Sequence, residues 1–333
     1  MAILLGTQHG RNKFILIGLL ILEFMKLKKL SDDKTILQIL ETKSPKECME
    51  ELGFYVWRQA LNVEVLSELK KLALVHAELS GIRKHDGVRQ PHSFRKAPFI
   101  IKLFEDDKIK ELMNTYFGHQ DWFITNHADL HTGALGNWHK DDGMSYGNGG
   151  YFEEPAYHVK NPGVFKIAAY FQDHNQFFDG LTIIPSSHRT ENIKEGDQLY
   201  IDTRKGDVLF FDPRLSHTGQ RYAFPDAISS SAKRKIRNNK VPPDIIGKDL
   251  KTPDRIDAIE KFQKINGVRS TLFFTVAEHG HYSEIFAINN MRRQLQELED
   301  GCSPYLCATQ IEQLSAMGIK TIDNEDFFKK VFS

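Results

Sequence analysis

A histidine and two aspartates stand close together near the middle of the chain, in the segment GALGNWHKDDGMSYGNGGY. Side chains two residues apart in a strand face the same side. His139 and Asp141 are therefore predicted to point together, whereas Asp142 is predicted to turn to solvent or to hold the loop. An imidazole and a carboxylate on one face are two ligands of a metal site, although surface strands often show this spacing without a metal.

A second histidine further along the chain completes such a site. The segment GDVLFFDPRLSHTG consists of a turn, an apolar strand, a second turn and then His217. Two histidines and one carboxylate occupy one face of Fe(II) and leave three positions for a cosubstrate and O2. Zinc more often takes a third histidine or keeps a single open position. His139, Asp141 and His217 are therefore predicted to bind iron.

The segment VRSTLFFTVA places an arginine and a hydroxyl on one face of another strand, at Arg269 and Thr271. A guanidinium binds a carboxylate through two parallel hydrogen bonds and stays charged when buried. The pair is predicted to bind the distal carboxylate of 2-oxoglutarate, whose keto-acid end would chelate iron. Arg221, four residues after His217, is the alternative anchor, but it runs into the segment YAFPD rather than a strand.

Short strand-like segments rich in β-branched and aromatic residues dominate the chain after about residue 120. They are DWFITNHADLH, VFKIAAYFQD, LTIIP, QLYIDT, DVLFFD and STLFFTVA. Few helices separate them, which favours a mainly β fold with flanking helices, built on a cupin-like jelly roll (a double-stranded β-helix). The segment GFYVW is predicted to be a further strand. Helices are predicted from Ser31 as N-cap, over residues 63–80, and over Tyr282–Glu299. The apolar stripe of the second helix consists of Val65, Leu69, Leu72, Val75 and Leu79. The apolar stripe of the last helix is predicted to pack on the barrel and consists of Ile285, Ile288, Met291, Leu295 and Leu298.

The chain is predicted to form a single domain over residues 31–333, with an insertion at 222–266. The insertion is polar, basic and turn-rich, and we interpret it as a solvated loop. A lid or a patch for an anionic substrate is the alternative. Residues 1–30 are set apart as an extension of uncertain status. Their apolar run resembles a signal peptide, but it is too short to span a bilayer and is interrupted by Glu23. Translation from Met25 is an alternative start.

Composition excludes several classes of protein. Lys+Arg and Asp+Glu are equal at 44 each, which argues against a nucleic-acid-binding surface spread over the whole protein. Three cysteines, at positions 48, 302 and 307, are too few for a disulfide framework. They indicate a reducing compartment, and a cytoplasmic location is predicted.

From about residue 53 to residue 277 the chain resembles the phytanoyl-CoA dioxygenase family of Fe(II)/2-oxoglutarate oxygenases. The matching segments are LGFYVWRQAL, WHKDD, FDGLTIIPSSHR, KGDVLFFDPRLSHTG and VRSTLFF. The resemblance implies a double-stranded β-helix with flanking helices. It also implies the iron ligands His139, Asp141 and His217, and a 2-oxoglutarate anchor formed by Arg269 with Thr271.

The chain departs from the family pattern at two places. Ser186 takes the place of the small residue that follows proline in the family's PGSH turn, which is a mild change. The insertion after His217 takes the place of a short connection. His188, in the same segment as Ser186, is interpreted as a turn or rim residue and not as a ligand. The strand before the site carries Asn126, His127 and His131, any of which is a candidate for contact with cosubstrate or substrate.

The expected reaction is hydroxylation of an aliphatic C–H bond of a small molecule, with O2 consumed and succinate and CO2 released. The basic insertion favours an anionic substrate. Asp141 argues against halogenation, because related halogenating enzymes carry Gly or Ala at the carboxylate position. Two alternatives are a barrel that binds a ligand without oxidising it and a metal oxygenase that does not use 2-oxoglutarate. Arg269 and Thr271 argue against both. The segment Gly143–Gly150 is either a mobile flap or a plain loop.

Overall fold

The computed structural model describes residues 27–79, 88–132, 138–144, 150–174, 180–193, 195–219, 269–296, 305–322, 327 and 329–330. The N-terminal apolar run, the alternative start at Met25, the insertion at 222–266 and Arg221 lie outside these residues. Most of the glycine-rich segment and Cys302 also lie outside them.

The N-terminal elements extend the smaller sheet and pack against the core next to it. Strand β1 (Leu27–Lys29) leads through a 3-10 turn into helices α1 (Lys34–Thr42) and α2 (Pro45–Leu52). The N-cap of α1 is Asp33, whose carboxylate accepts a hydrogen bond from the backbone N–H of Ile36 at 3.1 Å. The prediction of Ser31 as N-cap is therefore wrong. Leu30 is buried in the core, and the 3-10 turn that buries it displaces the start of the α-helix.

Three more helices precede or flank the first long strand: α3 (Val63–Leu79), α4 (Ser93–Lys96) and α5 (Lys108–Phe117). The helix predicted over residues 63–80 is confirmed over its described residues. Its buried face contains Leu66, Leu69 and Ala73, whereas Val75, part of the predicted apolar stripe, is 51% exposed.

Two sheets form the body of the protein, and seven of the ten strands in the described residues lie at predicted segments. The strands after β1 are β2 (Phe54–Trp57), β3 (Val88–Gln90), β4 (Trp122–Thr132), β5 (Val164–Tyr170), β6 (Leu181–Ile183), β7 (Gln198–Ile201), β8 (Val208–Phe211), β9 (His217–Gly219) and β10 (Ser270–Glu278). The smaller sheet has the order β1-β7-β6-β9, and the larger sheet has the order β2-β8-β5-β10-β4-β3. Neighbouring strands are antiparallel except β1 and β7. Strands β1, β3 and β9 were not predicted.

The two faces of the larger sheet bury different sets of side chains. Ala168 and Tyr170 of β5 pack between the sheets against Leu181 of β6. Phe165 and Ile167, which alternate with them, pack on the other face against the helices. This is the layered arrangement of a jelly roll with outer helices, so the predicted fold class is confirmed.

Helices α6 (His281–Gln296) and α7 (Ala308–Ala316) complete the fold. The predicted helix at Tyr282 is confirmed, but its buried face matches the predicted stripe only in part. Met291 is buried as predicted, whereas Ile285 and Ile288 are only half-buried. Phe286 and Ala287, outside the predicted stripe, are buried. Within the described ranges, no helix combines the length and the apolar character needed to cross a bilayer.

Candidate functional site

His139, Asp141 and His217 come together at one end of the space between the sheets. One potential ligand atom from each lies within 4.8 Å of the others. His139 Nε2 is 3.5 Å from Asp141 Oδ1, and His217 Nε2 is 3.6 Å from Asp141 Oδ2. Two imidazole nitrogens and a carboxylate in this arrangement are suited to a divalent transition metal and leave room for further ligands.

Backbone pairing holds the three residues in place. His139 and His217 form an isolated antiparallel bridge, with N–H to carbonyl distances of 3.0 and 2.9 Å. The Asp141 N–H donates to the Pro213 carbonyl at 2.7 Å. Residues 139–142 therefore do not form the regular strand that was predicted, since Asp141 and Asp142 lie in a turn. The His139 and Asp141 side chains still converge, because the hydrogen bond from Asp141 to Pro213 attaches this turn to the segment that leads to His217.

The His217 ring is oriented by its own turn. Its Nδ1 lies 2.9 Å from the Leu215 carbonyl oxygen. Donation from Nδ1 to that oxygen leaves the Nε2 lone pair directed at the site, as in metal-binding histidines. Burial and the neighbouring His139 lower the pKa of His217 to about 4, so the imidazole is neutral at neutral pH. A neutral imidazole is the form that binds metals.

A buried lysine lies against the carboxylate of the triad. Lys166, on the inner face of β5, is 3% exposed, and its Nζ is 3.5 Å from Asp141 Oδ2. Burial would raise the pKa of the Asp141 carboxyl, but Lys166 and the two triad histidines together hold that pKa well below its usual range. Asp141 is therefore ionised, as a metal ligand must be.

Asp142 and Lys140 turn away from the triad. Asp142 is 2% exposed and accepts hydrogen bonds from the Tyr157 hydroxyl at 2.6 Å and the Met144 N–H at 3.1 Å. Burial raises the pKa of the Asp142 carboxyl. The prediction that Asp142 holds the loop is confirmed, and the alternative that it faces solvent is wrong. The Lys140 ammonium donates to the Ser187 carbonyl at 2.5 Å.

A cavity of about 250 Å³ contains the triad and also Arg269. The Arg269 side chain is 1% exposed, and its guanidinium carbon is 5.8 Å from the ring centroids of both Tyr170 and Phe273. Thr271 lies two residues along the same face and is fully buried. It is not among the described lining residues, but its hydroxyl has no hydrogen-bond partner within the described part of the chain. A buried guanidinium beside an unsatisfied hydroxyl fits a bound carboxylate.

The other candidate residues divide into two groups. His127 and His131 line the cavity, whereas Asn126, on the alternate side of β4, does not appear among the described lining residues. His188 is 3% exposed and lies under α2, where its Nε2 is 3.2 Å from the Glu50 carbonyl oxygen. It is a packing residue of the turn. Ser186, in that turn, has a φ of 64°, a conformation more usual for glycine.

Several lining residues were not predicted from the sequence. The alternation that pairs His139 with Asp141 also places Asp129 between His127 and His131, so that residue was within reach of sequence reasoning. Lys166 gave a weaker signal, as a single charge in the apolar strand VFKIAAY. Nothing in the local sequence marked Arg89, Asn290 or Arg293 as lining residues.

Comparison with known proteins gives a family and a set of similar folds. The family described as phytanoyl-CoA dioxygenase (PhyH) matches residues 46–222. A comparison with curated protein sequences found no match. One similar solved structure is the non-heme alpha ketoglutarate dependent epimerase SnoN from nogalamycin biosynthesis, with 11% identity, a TM-score of 0.44, and coverage of 74% of this chain and 84% of that chain.

Two further structures have comparable similarity. AviO1 from Streptomyces viridochromogenes Tue57 has 16% identity and a TM-score of 0.44, over 70% of this chain and 93% of that chain. EctD from S. alaskensis, solved with 2-oxoglutarate and 5-hydroxyectoine, has 13% identity and a TM-score of 0.43, over 70% of this chain and 74% of that chain.

Proposed function

The chain belongs to the phytanoyl-CoA dioxygenase (PhyH) family, and from this membership we propose that it is an Fe(II)- and 2-oxoglutarate-dependent dioxygenase. Its reaction is hydroxylation of an aliphatic C–H bond in a small molecule. The observation that carries the proposal is the convergence of His139, Asp141 and His217 in the cavity that Arg269 also lines.

The triad would hold the metal. The imidazoles supply neutral nitrogen ligands, and Asp141 supplies one negative charge. The donor set of two nitrogens and one oxygen suits Fe(II) better than a structural zinc site, which is closed by four protein ligands. Retention of the carboxylate supports hydroxylation over halogenation, because both carboxylate and halide require the same coordination position.

Arg269 and Thr271 would bind the distal carboxylate of 2-oxoglutarate. The guanidinium is almost completely buried, so its charge is poorly screened and its attraction for a carboxylate is strong. The Thr271 hydroxyl, unsatisfied among the described residues, would donate to the same group. Together they position a dicarboxylate with its other end towards the triad.

The protein's own contribution to the reaction is to bind, orient and exclude water. When bound, the iron and 2-oxoglutarate supply the oxidative chemistry, in which O2 and 2-oxoglutarate are converted with substrate to hydroxylated product, succinate and CO2. The apolar residues between the sheets keep bulk water from the inner end of the cavity. The three cysteines, too few for a disulfide framework, support a cytoplasmic location.

An anaerobic spectroscopic titration tests the proposal. Fe(II) and 2-oxoglutarate are added to the protein under argon, and the visible charge-transfer band of the chelate is followed. His217→Ala removes a ligand, and we expect iron affinity to fall at least 100-fold, since even the loss of an outer partner of a ligand costs about 10–100-fold. Arg269→Gln should leave iron binding intact but weaken the binding of 2-oxoglutarate by roughly 30-fold or more. The reason is that truncating one member of a buried charge pair costs about 2–5 kcal/mol.

Matched controls come from residues of the same type outside the cavity. His119→Ala and Arg204→Gln change an exposed histidine and an exposed arginine, and both variants should behave like the wild type. Iron binding without a band would refute the use of 2-oxoglutarate and favour a metal oxygenase of another kind. Absence of iron binding would favour a barrel that binds a ligand without oxidising it.

A further inference from the structure

A second basic region borders the cavity, separated from Arg269 by a strand. Strands β3 and β10 lie on opposite sides of β4, and Arg89 and Thr271 are both in register with His131. Residues paired across strands face the same side, and strands lie about 4.8 Å apart, so the backbones at Arg89 and Thr271 are roughly 10 Å apart. The Arg89 side chain is 37% exposed, whereas Arg269 is 1% exposed. Arg89 therefore lies at the solvent side of the cavity, and Arg269 lies at its inner side.

Helix α6 brings two further polar side chains to the cavity. Asn290 and Arg293 are three residues apart, so they share one face of the helix, and both line the cavity. The next residue, Gln294, anchors that face to β4. Its amide donates to Asp129 Oδ1 at 3.2 Å and to the Ala128 carbonyl at 3.4 Å. The positions of Asn290 and Arg293 are therefore fixed by packing and not by a loop.

Asn290 carries an unsatisfied acceptor. The side chain is 2% exposed, and its Oδ1 has no hydrogen-bond partner in the part of the chain that the structure describes. Buried polar atoms of native proteins are almost always hydrogen-bonded, so an acceptor left over in a cavity indicates a donor supplied by a ligand. That donor is an N–H or an O–H group.

The lining of this region is basic. Outside the triad, the single acidic side chain among the described lining residues is Asp129, which already lies within 3.5 Å of His127 Nε2 and 3.9 Å of Arg89 Nε. Arg89, Lys166 and Arg293 line the same region. Away from the triad, a lining with this charge favours an anionic organic ligand over a cationic one.

We propose that Arg89 and Arg293 bind an acidic group of the oxidised substrate and that Asn290 Oδ1 accepts a hydrogen bond from a hydroxyl or amino group next to it. The substrate is therefore a small organic acid with such a donor close to its carboxylate or phosphate. This inference rests on the proposed function in one respect, since 2-oxoglutarate is taken to occupy Arg269 and not the Arg89–Arg293 pair.

Binding to the protein filled with Fe(II) and 2-oxoglutarate under argon tests the inference. The probes are inorganic phosphate and a series of 2-hydroxy and 2-amino acids, each compared with its neutral primary amide and with the acid that lacks the hydroxyl or amino group. Binding is measured as the rise in thermal unfolding temperature. We expect acids to bind at least tenfold more tightly than their amides. Arg89→Gln and Arg293→Gln should each remove this preference, with a loss of roughly tenfold or more.

Two further variants separate direct binding from loss of structure. Arg293→Lys retains the charge but not the planar guanidinium, and it should keep the preference for acids at reduced affinity. Asn290→Ala should weaken the binding of the hydroxy and amino acids but leave the binding of acids without these groups unchanged. Arg204→Gln serves as the exposed control.

The visible band of the iron chelate distinguishes failure of this inference from failure of the proposed function. A wild-type protein without the band would refute the proposed function itself. A wild-type band that weakens in Arg89→Gln or Arg293→Gln would overturn the inference by assigning these residues to 2-oxoglutarate. Equal binding of acids and amides, or no response to any acid including phosphate, would overturn it as well.

Discussion

Arg214 lies in the turn that leads to His217. Its replacement by methionine tests how that turn supports the candidate metal site. The guanidinium is 1% exposed. Its Nε and Nη2 donate to the two oxygens of Asp212 at 2.9 and 2.6 Å, and its Nη1 donates to the carbonyls of Val159, at 2.6 Å, and Ala156. The turn between Asp212 and His217 also contributes the carbonyls that bind the Asp141 N–H and the His217 ring.

Methionine would fill much of the space but would leave the Asp212 carboxylate buried, at 2% exposure, without its cation. Removing one partner of a buried ion pair costs about 3–5 kcal/mol, which is a large part of the free energy of unfolding of a typical domain. We therefore expect a loss of about 4 kcal/mol in urea unfolding. We also expect about a tenfold loss in iron affinity, because the carbonyls that orient two ligands lose their support. The double variant Asp212→Asn, Arg214→Met should recover roughly half of the stability, since it leaves no buried charge.

Arg58→Met is the matched control. Arg58 also pairs with a buried carboxylate, at 2.6 Å from Asp207, but its side chain is 44% exposed. Asp207 keeps hydrogen bonds from two backbone N–H groups, so the loss should be at most about 1 kcal/mol. An Arg214→Met protein as stable as Arg58→Met would refute the energetic reasoning. A destabilised protein with unchanged iron affinity would refute the connection between the turn and the site.

Three further predictions concern the elements around the site. Tyr157→Phe removes the hydroxyl that donates to buried Asp142 at 2.6 Å, and urea unfolding should show a loss of about 1–2 kcal/mol. Burial lowers the pKa of His188 from 6.5 to about 4. Between these two pH values His188 is therefore protonated in the unfolded chain but neutral in the folded protein. The free energy of unfolding should therefore fall on acidification below pH 6.5, by up to about 3 kcal/mol from this residue, and urea unfolding of His188→Gln at several pH values should show a shallower dependence. Gly53→Ala combines a φ of 80° with a new Cβ 2.5 Å from His188 Nδ1, whereas Gly118→Ala has a φ of 77° and no atom within 4 Å. The Gly53 variant should therefore lose clearly more thermal stability than the roughly 1 kcal/mol expected for the Gly118 variant from φ alone, and equal losses would contradict this.

Local patterns in the sequence predicted most of the fold. The strands β2, β4, β5, β6, β7, β8 and β10 lie at the predicted segments, because each combines β-branched or aromatic residues with turn-forming residues at its ends. Helix positions were also predicted, but the predicted cap at Ser31 and the predicted place of Val75 on the buried face were wrong. Both errors come from tertiary contacts. Burial of Leu30 places the start of α1 after the predicted cap. Packing against the larger sheet buries the face of α3 that contains Leu66, Leu69 and Ala73.

The candidate site shows the same division between local and tertiary information. Residue type, spacing and the family resemblance predicted His139, Asp141, His217 and Arg269 as site residues, because metal ligation and carboxylate binding require particular side chains. Only the folded structure brought Lys166 within 3.5 Å of Asp141 and placed the polar face of α6 over β4. No local pattern encodes these contacts, since they depend on how two sheets and a distant helix pack together. The sequence by itself therefore determined the chemistry to expect, and the tertiary structure decided the charges that surround it, because electrostatic interactions depend on distance in space and not on separation along the chain.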